Sequence, residues 1–164
     1  MKTALKRAGK LFIDTIEIYI PFAAFVTLFI VFITGIFFRY FLKPLTWTLE
    51  LSLICFIWTS LLGGLFAKRE DAHVAFTMVY DAVSPLIQIW MRLIGHSLLV
   101  LSFAIGLIPS WKYVLFMGYK KSNVLKIPMD LVFLPFVIFL AFMIGRYTVD
   151  IYRDTRKLIK GDLS

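Results

Sequence analysis

Charged residues are scarce in this chain. They make up 17% of its 164 residues, whereas 60% of the residues are hydrophobic. A water-soluble globular domain usually carries about 25% charged residues. The composition therefore excludes an ordinary soluble domain, and the high hydrophobic content also excludes a disordered chain.

Cysteine and histidine are nearly absent. The one cysteine, Cys55, lies inside an apolar stretch and has no partner for an intrachain disulfide, so we interpret it as a small apolar filler. Two histidines cannot by themselves form a multi-ligand metal site or a di-haem bundle. The sequence also lacks a glycine-rich phosphate loop and the motifs G-x-S-x-G, H-E-x-x-H and C-x-x-C. We therefore expect no cofactor, no metal and no enzymatic activity.

The sequence does contain four long apolar stretches. The first, residues 18–38, carries no charge, and at about 1.5 Å per residue it reaches about 30 Å, the thickness of the hydrocarbon core of a bilayer. The others cover about residues 49–67, 93–111 and 131–147. The pattern predicts an all-α membrane protein with a four-helix transmembrane domain at 18–147.

Shorter segments surround these spans. Residues 1–17 place apolar side chains on one side at helical spacing and charged ones, including Glu17, elsewhere, which predicts an amphipathic helix on the membrane surface rather than a cleaved signal peptide. Residues 72–84 predict a second interfacial helix. Residues 148–164 form a basic tail.

The distribution of Lys and Arg predicts the orientation. The N-terminal segment, the 68–85 connection and the tail from Arg146 hold 11 of these residues, and the other two connections hold 6. Positive residues favour the cytoplasmic side, so we expect both termini in the cytoplasm. The net charge of +8 is then explained by basic residues that flank the membrane helices and attract anionic lipid headgroups. We expect no nucleic-acid partner.

Glu50 is the only acid that the sequence places near the interior of a predicted span. Intramembrane acids often mark ion pathways, which would give Glu50 a coupling-ion role. It lies in the first turn of its helix, however, where a negative charge complements the helix dipole, so a structural or partner contact is the favoured interpretation. Trp47, just before it, fits the aromatic belt at the membrane surface.

Arg92 and His96 lie four residues apart, on one face of the third span. They could form a polar stripe that meets a partner subunit. The favoured alternative is that Arg92 extends to lipid headgroups and that His96 bonds a neighbouring helix.

Small residues recur at four-residue spacing in three of the four spans. Residues of this kind let membrane helices approach closely, so we predict that they pack against other helices of the chain or against a partner. The residues are Ser60, Gly63 and Gly64, then Ser102 and Gly106, then Ala141 and Gly145.

Several short stretches together resemble one family, the small membrane subunit (DctQ- or SiaQ-type) of tripartite ATP-independent periplasmic (TRAP) transporters. The resemblance covers about residues 15–150. The stretches are Arg39-Tyr40-Phe41, Pro44-Leu45-Thr46-Trp47 with Glu50, Trp58, Gly63-Gly64, His73-Val74, Asn123 to Pro128 and Leu134-Pro135.

The resemblance implies a division of labour. A large permease subunit would carry the sodium-coupled elevator and the substrate site, and a periplasmic binding protein would deliver an organic acid of the C4-dicarboxylate or sialic-acid type. The small subunit would widen the membrane scaffold. The alternative is a self-sufficient four-helix pump that works as a homodimer, which needs an acid deep in a span.

The two connections predicted to face outward, 39–48 and 112–128, carry only positive charges. A surface of one sign attracts an oppositely charged partner and speeds its encounter. We predict that Lys43, Lys120, Lys121 and Lys126 help a binding protein to dock. The alternative is that they lie near anionic headgroups.

Overall fold

The structure is a computed structural model that describes residues 2–70 and 83–160. Four of its helices are long and apolar enough to cross a membrane, which confirms the predicted all-α membrane fold. The predicted interfacial helix at 72–84 lies almost wholly outside the described residues. The elements are α1 (Lys2–Asp14), a π-helical turn (Thr15–Tyr19), α2 (Ile20–Phe41), α3 (Thr46–Arg69), α4 (Pro85–Met117) and α5 (Met129–Lys160).

The first transmembrane helix does not start at the predicted boundary. The chain stays helical from α1 through the π-helical turn into α2, and residues Gly9–Phe41 form one long candidate span. A π-helical turn inserts an extra residue into a helical turn and so rotates the side chains that follow it, a feature that is frequent at functional positions. The location of α1 on the membrane surface stays a prediction.

The long helices pack as neighbours in the order α2, α3, α5, α4. The first two form one antiparallel hairpin and the last two form another, and the hairpins meet where α3 packs against α5. The centre of this contact is a small apolar core of Leu62 and Leu65 from α3 with Met143 and Tyr147 from α5. The molecule is therefore a row of helices with α3 and α5 inside and α2 and α4 at the edges.

The edge helix α4 leaves most of its apolar surface uncovered. None of the residues in its most apolar window is buried inside the chain. Lipid tails are as apolar as leucine, so such a face is compatible with lipid as well as with another protein. The exposed residues on it include Ile94, Leu98, Leu101, Ile105 and Ile108.

Two prolines lie inside helices without ending them. Pro109 lies inside α4, which continues to Met117, beyond the predicted end of the third span at residue 111. The same holds for Pro135 in α5, which runs on to Lys160, so that residues 148–160 of the predicted tail are helical. At 1.5 Å per residue α5 is about 48 Å long, which exceeds the hydrocarbon core and carries its end into the headgroup region.

Candidate functional site

Polar contacts between the helices concentrate at the two ends of α3. One site surrounds its last residues, Lys68 and Arg69, and the other surrounds Glu50 in its first turns. Between them the helices meet through the apolar core. The two sites are therefore built differently, and we describe them in turn.

Glu17 is the centre of the first site. Its side chain has no solvent exposure, and its Oε1 accepts a hydrogen bond from Nη2 of Arg146 in α5. The other carboxylate oxygen, Oε2, lies 3.5 Å from Nη1 of Arg69, which is an ion-pair distance although no hydrogen bond forms. A buried carboxylate is costly unless it is paired, and these two arginines offset the cost of burying Glu17.

The same arginines make further contacts. Nη1 of Arg146 donates to the carbonyl oxygen of Leu65 in α3 at 2.6 Å. Nη1 of Arg69 donates to Oδ1 of Asp14 at 2.5 Å. Each guanidinium thus joins two elements of the chain.

Two more ion pairs extend this site across the row. Nζ of Lys68 lies 3.1 Å from Asp150, and Nε of Arg92 lies 3.2 Å from Asp154. Together the charged pairs connect α1, the π-helical turn, α3, α5 and α4, and we call this set the ion-pair belt. Its members are Asp14, Glu17, Lys68, Arg69, Arg92, Arg146, Asp150 and Asp154.

Sequence reasoning missed the role of Glu17. Glu17 does lie on the same side of the helix as Asp14, as predicted, because both meet Arg69, but this side is not an exposed polar surface, since Glu17 is buried. Glu50 is therefore not the only acid beside a span interior. One signal was available: the predicted topology puts Glu17 and Arg146 on the same side of the membrane, each next to an apolar stretch.

Arg92 and His96 both lie against α5 within this chain. Arg92 pairs with Asp154 and is about one third exposed, with 32% of its side chain accessible. The His96 ring packs 5.1 Å from the ring of Tyr147, and its Nδ1 is buried with no hydrogen-bond partner among the described residues. His96 thus contacts α5 through its ring, and the predicted bond to a neighbouring helix stays a prediction.

Glu50 is the centre of the second site. Its Oε2 accepts hydrogen bonds from the backbone amides of Val124 and Leu125, at 3.0 and 2.7 Å. A carboxylate that accepts two amide hydrogen bonds is strongly anchored. The contact connects the start of α3 to the connection between α4 and α5, so Glu50 has a structural partner inside this chain.

The connection that Glu50 holds is itself internally bonded. The amide of Ser122 donates to the carbonyl of Ile127 at 2.8 Å, and the Ser122 hydroxyl accepts from the Ile127 amide at 3.0 Å. Lys126 adopts a left-handed backbone conformation with φ of 57°, which turns the chain between them. We call residues 118–128 the pinned loop. Its fixed shape leaves Lys120, Lys121 and Lys126 exposed, as is Lys43 at the neighbouring connection.

The predicted small residues differ in what they meet. A Cβ added at Gly64 would lie 3.4 Å from Cε2 of Phe139, so α3 and α5 do approach closely there. Added at Gly63, Gly106 or Gly145, it would meet nothing within 4 Å. Ser60, Ser102 and Ala141 are exposed as well. Packing of these residues against a partner stays a prediction.

The tightest helix approach involves a glycine that the sequence analysis did not single out. A Cβ at Gly35 of α2 would lie 2.8 Å from Oγ1 of Thr48 in α3. Thr48 is buried, and its hydroxyl donates to the carbonyl of Leu45 at 2.7 Å. Gly35 has no small residue four positions away, so the spacing rule had no signal for it.

Trp47 is half-buried at the start of α3, next to the connection from α2. Residues that could hold a metal ion do not gather anywhere in the ranges 2–70 and 83–160. The contacts of the two sites hold helices and a loop in place.

Comparison with known proteins identifies the family. The sequence model for tripartite ATP-independent periplasmic transporters, DctQ component, matches residues 28–157, which is well over half of the chain. No curated protein matches the chain. The matched region includes Glu50, the pinned loop and Arg146, whereas Asp14 and Glu17 lie before it. The chain belongs to the DctQ component family and is a small permease subunit of a TRAP transporter.

Proposed function

We propose that this subunit is the scaffold of a sodium-coupled importer for an organic acid of the C4-dicarboxylate or sialic-acid type. Membership of the DctQ family implies partnership with a large permease subunit and a binding protein. In this proposal the large subunit holds the substrate and couples its movement to sodium. The small subunit enlarges the part of the complex that stays fixed in the membrane.

The main support for this proposal is that both acids beside the spans, Glu17 and Glu50, are held by partners within the chain. A group that binds a coupling ion must be free to exchange partners during transport. Glu17 is held by Arg146, and Glu50 is held by the amides of the pinned loop. Both carboxylates therefore serve as internal contacts, which suits a rigid support better than a moving ion site.

The shape of the helix row supports the same role. Each edge helix leaves a long apolar face open, and that of α4 is the more exposed. A row of helices with open faces offers a large surface to a neighbouring membrane protein. The interior of the row, in contrast, is filled by the core of Leu62, Leu65, Met143 and Tyr147.

The pinned loop supports a contact with the periplasmic binding protein. In the proposed orientation both termini are cytoplasmic in the bacterial inner membrane, so the ion-pair belt faces the cytoplasm and the pinned loop faces the periplasm. Lys120, Lys121 and Lys126 then form a positive surface of fixed shape, with Lys43 beside it. Such a surface attracts an acidic partner, and its alternative role is contact with anionic headgroups.

Reconstitution tests the scaffold role. Proteoliposomes should contain this chain with the large permease subunit, the large subunit alone, or this chain alone, each with binding protein outside and a sodium gradient. We expect organic-acid uptake only from the pair, and we expect the two subunits to purify together. Full uptake by the large subunit alone would refute the need for a scaffold.

One observation in the structure favours the alternative, a homodimeric pump. Glu17 is a buried acid, as such a pump requires. Its pairing with Arg146 argues against this use, because the arginine must release the carboxylate in every cycle. Solute movement by the isolated chain under an ion gradient, abolished in Glu17→Gln, would establish the pump and overturn the scaffold.

A further inference from the structure

An open groove of about 990 Å³ lies between α1 and α5, and we call it the α1–α5 groove. Apolar side chains cover part of its wall, namely Ile13, Phe142 and Val149 with Ala141. Charged side chains of the ion-pair belt line the rest. Lys10 from α1 and Arg153 from α5 also contribute to its lining.

Two glycines, which have no side chain, help to keep this groove open. Gly9 lines it from α1 and Gly145 lines it from α5, and a Cβ added at either would meet nothing within 4 Å. Ala141, one turn before Gly145, is exposed within the chain. The helices therefore leave room here for something that is not part of the described residues.

The charges in the groove do not balance. Its three acids, Asp14, Glu17 and Asp150, are each paired with a base of the ion-pair belt that also lines the groove. Lys10 and Arg153 are exposed and form no ion pair with a residue of the described ranges. Two positive charges thus remain for an occupant that is negative.

The groove also extends from the predicted hydrocarbon core of the membrane to its headgroup region. Ala141 lies within the predicted fourth span, and Arg153 lies about 18 Å further along α5 at 1.5 Å per residue. On the other wall, Lys10 precedes the apolar stretch that begins at residue 18. An occupant therefore meets apolar walls at one end and the two unmatched cations at the other.

We propose that the α1–α5 groove binds one anionic phospholipid. Its phosphate lies between Lys10 and Arg153, and the upper part of an acyl chain lies on Ala141 and Phe142. A free phosphate ion would make no use of the apolar wall, and an apolar protein helix would leave both cations unmatched. The inference goes beyond the proposed function, since it needs only this chain in a membrane.

Lipid retention by the purified full chain tests this inference. Native mass spectrometry would compare phosphatidylglycerol with phosphatidylcholine of the same acyl chains, and a third sample would contain inorganic phosphate alone. We expect one tightly retained phosphatidylglycerol, a preference of about tenfold or more over phosphatidylcholine, and no retained phosphate. Equal retention of the two lipids, or retention of phosphate alone, would overturn the proposal.

Charge variants locate the site. Each basic residue near anionic lipid contributes about enough to change binding severalfold, so Lys10→Gln with Arg153→Gln should weaken phosphatidylglycerol binding about tenfold or more. The matched control is Lys120→Gln with Lys121→Gln, which removes the same charge at the pinned loop and should leave binding unchanged. An equal loss in both double variants would show non-specific attraction and refute the groove.

A shape variant separates lipid from protein as the occupant. Gly145→Leu fills the groove without altering charge, and its surroundings are empty enough for the chain to fold. We expect it to lose the retained phosphatidylglycerol when the chain is purified without the large permease subunit. Unchanged lipid retention with loss of the large subunit would instead assign the groove to a protein contact. Lipid retention is measured without transport, so a failure of uptake alone would count against the proposed function only.

Discussion

Arg146 in the last transmembrane helix donates a hydrogen bond to the buried carboxylate of Glu17, which lies in the π-helical turn before the first apolar stretch. The two residues are 129 positions apart in the sequence. Their contact closes one end of the helix row, since it ties the N-terminal helix to α5 across the end of α3. The stability of this end therefore depends on a single buried charge and its partners.

Glu17→Gln should destabilise the folded chain markedly. Removal of one partner from a buried ion pair leaves the other uncompensated and typically costs about 3 kcal/mol or more. Thermal unfolding in detergent measures the effect, with the exposed Arg156→Gln as the control that should unfold like the parent. Glu17→Gln combined with Arg146→Gln should cost less than the sum of the single changes. Strict additivity would show that the two side chains are not coupled.

Gly35→Ala should weaken the packing of α2 on α3. The added methyl group would lie 2.8 Å from Oγ1 of the buried Thr48, so the helices must move apart at a cost of about 1–3 kcal/mol. Gly63→Ala is the matched control, because nothing lies within 4 Å of its added carbon and alanine favours a helix by up to about 1 kcal/mol. If both variants unfolded at the same temperature, the close approach of α2 and α3 would be contradicted.

Gly64→Leu should weaken helix packing within this chain, whereas Gly106→Leu should weaken its association with the large subunit. The first forces a bulky side chain against Phe139, so it should lower the unfolding temperature of the isolated chain. A Cβ at Gly106 would meet no described residue within 4 Å, so the second change should leave that temperature unchanged and reduce the yield of the complex with the large subunit. Normal assembly of Gly106→Leu would show that this glycine faces lipid.

Lys120→Glu with Lys121→Glu should slow uptake when the binding protein is limiting. The change reverses the charge of the pinned loop, so an acidic partner arrives more slowly, and saturating binding protein should restore much of the rate. Membrane assembly should be unaffected, because both side chains are exposed. Uptake that remains normal at limiting binding protein and low salt would remove this loop from the docking surface.

The pinned loop also allows a control that changes no lysine. Glu50→Ala removes the acceptor of the Val124 and Leu125 amides, so hydrogen exchange at these two amides should accelerate. Glu50→Gln keeps an acceptor oxygen and should have the smaller effect. If loop shape matters for docking, uptake at limiting binding protein should fall in the same order.

The topology prediction is tested by alkaline phosphatase fusions. An enzyme fused after Lys121 should be active because that position is expected in the periplasm, and one fused after Arg156 should be inactive because the tail is expected in the cytoplasm. The reverse activities would invert the orientation. They would also place the ion-pair belt, and not the pinned loop, on the side of the binding protein.

The sequence by itself determined the class of the protein and the number of its membrane helices. An apolar stretch long enough to cross a bilayer has few alternatives to a helix, because every backbone polar group must be satisfied within the segment. Composition alone therefore predicts membrane helices at about residues 18–38, 49–67, 93–111 and 131–147, and the helices of the structure cover these stretches with wider bounds. The scattered motifs around Glu50 and the Asn123 to Pro128 stretch were enough to indicate the family that the comparison then confirmed.

Only the tertiary structure decided which polar residues meet. The partners of Glu17 and Glu50 lie far away in the sequence, and hydropathy contains no information about which helices are neighbours. The order α2, α3, α5, α4 places Arg146 beside Glu17 and the pinned loop beside Glu50. Asp14 and Glu17 lie on one side of the N-terminal helix, and both meet Arg69, whereas Leu11 and Phe12 are exposed. A helical pattern groups these acids correctly, but it does not show whether they meet water or the arginines of other helices. Helix propensity and apolar length act locally, whereas the pairing of charges depends on how the finished helices pack.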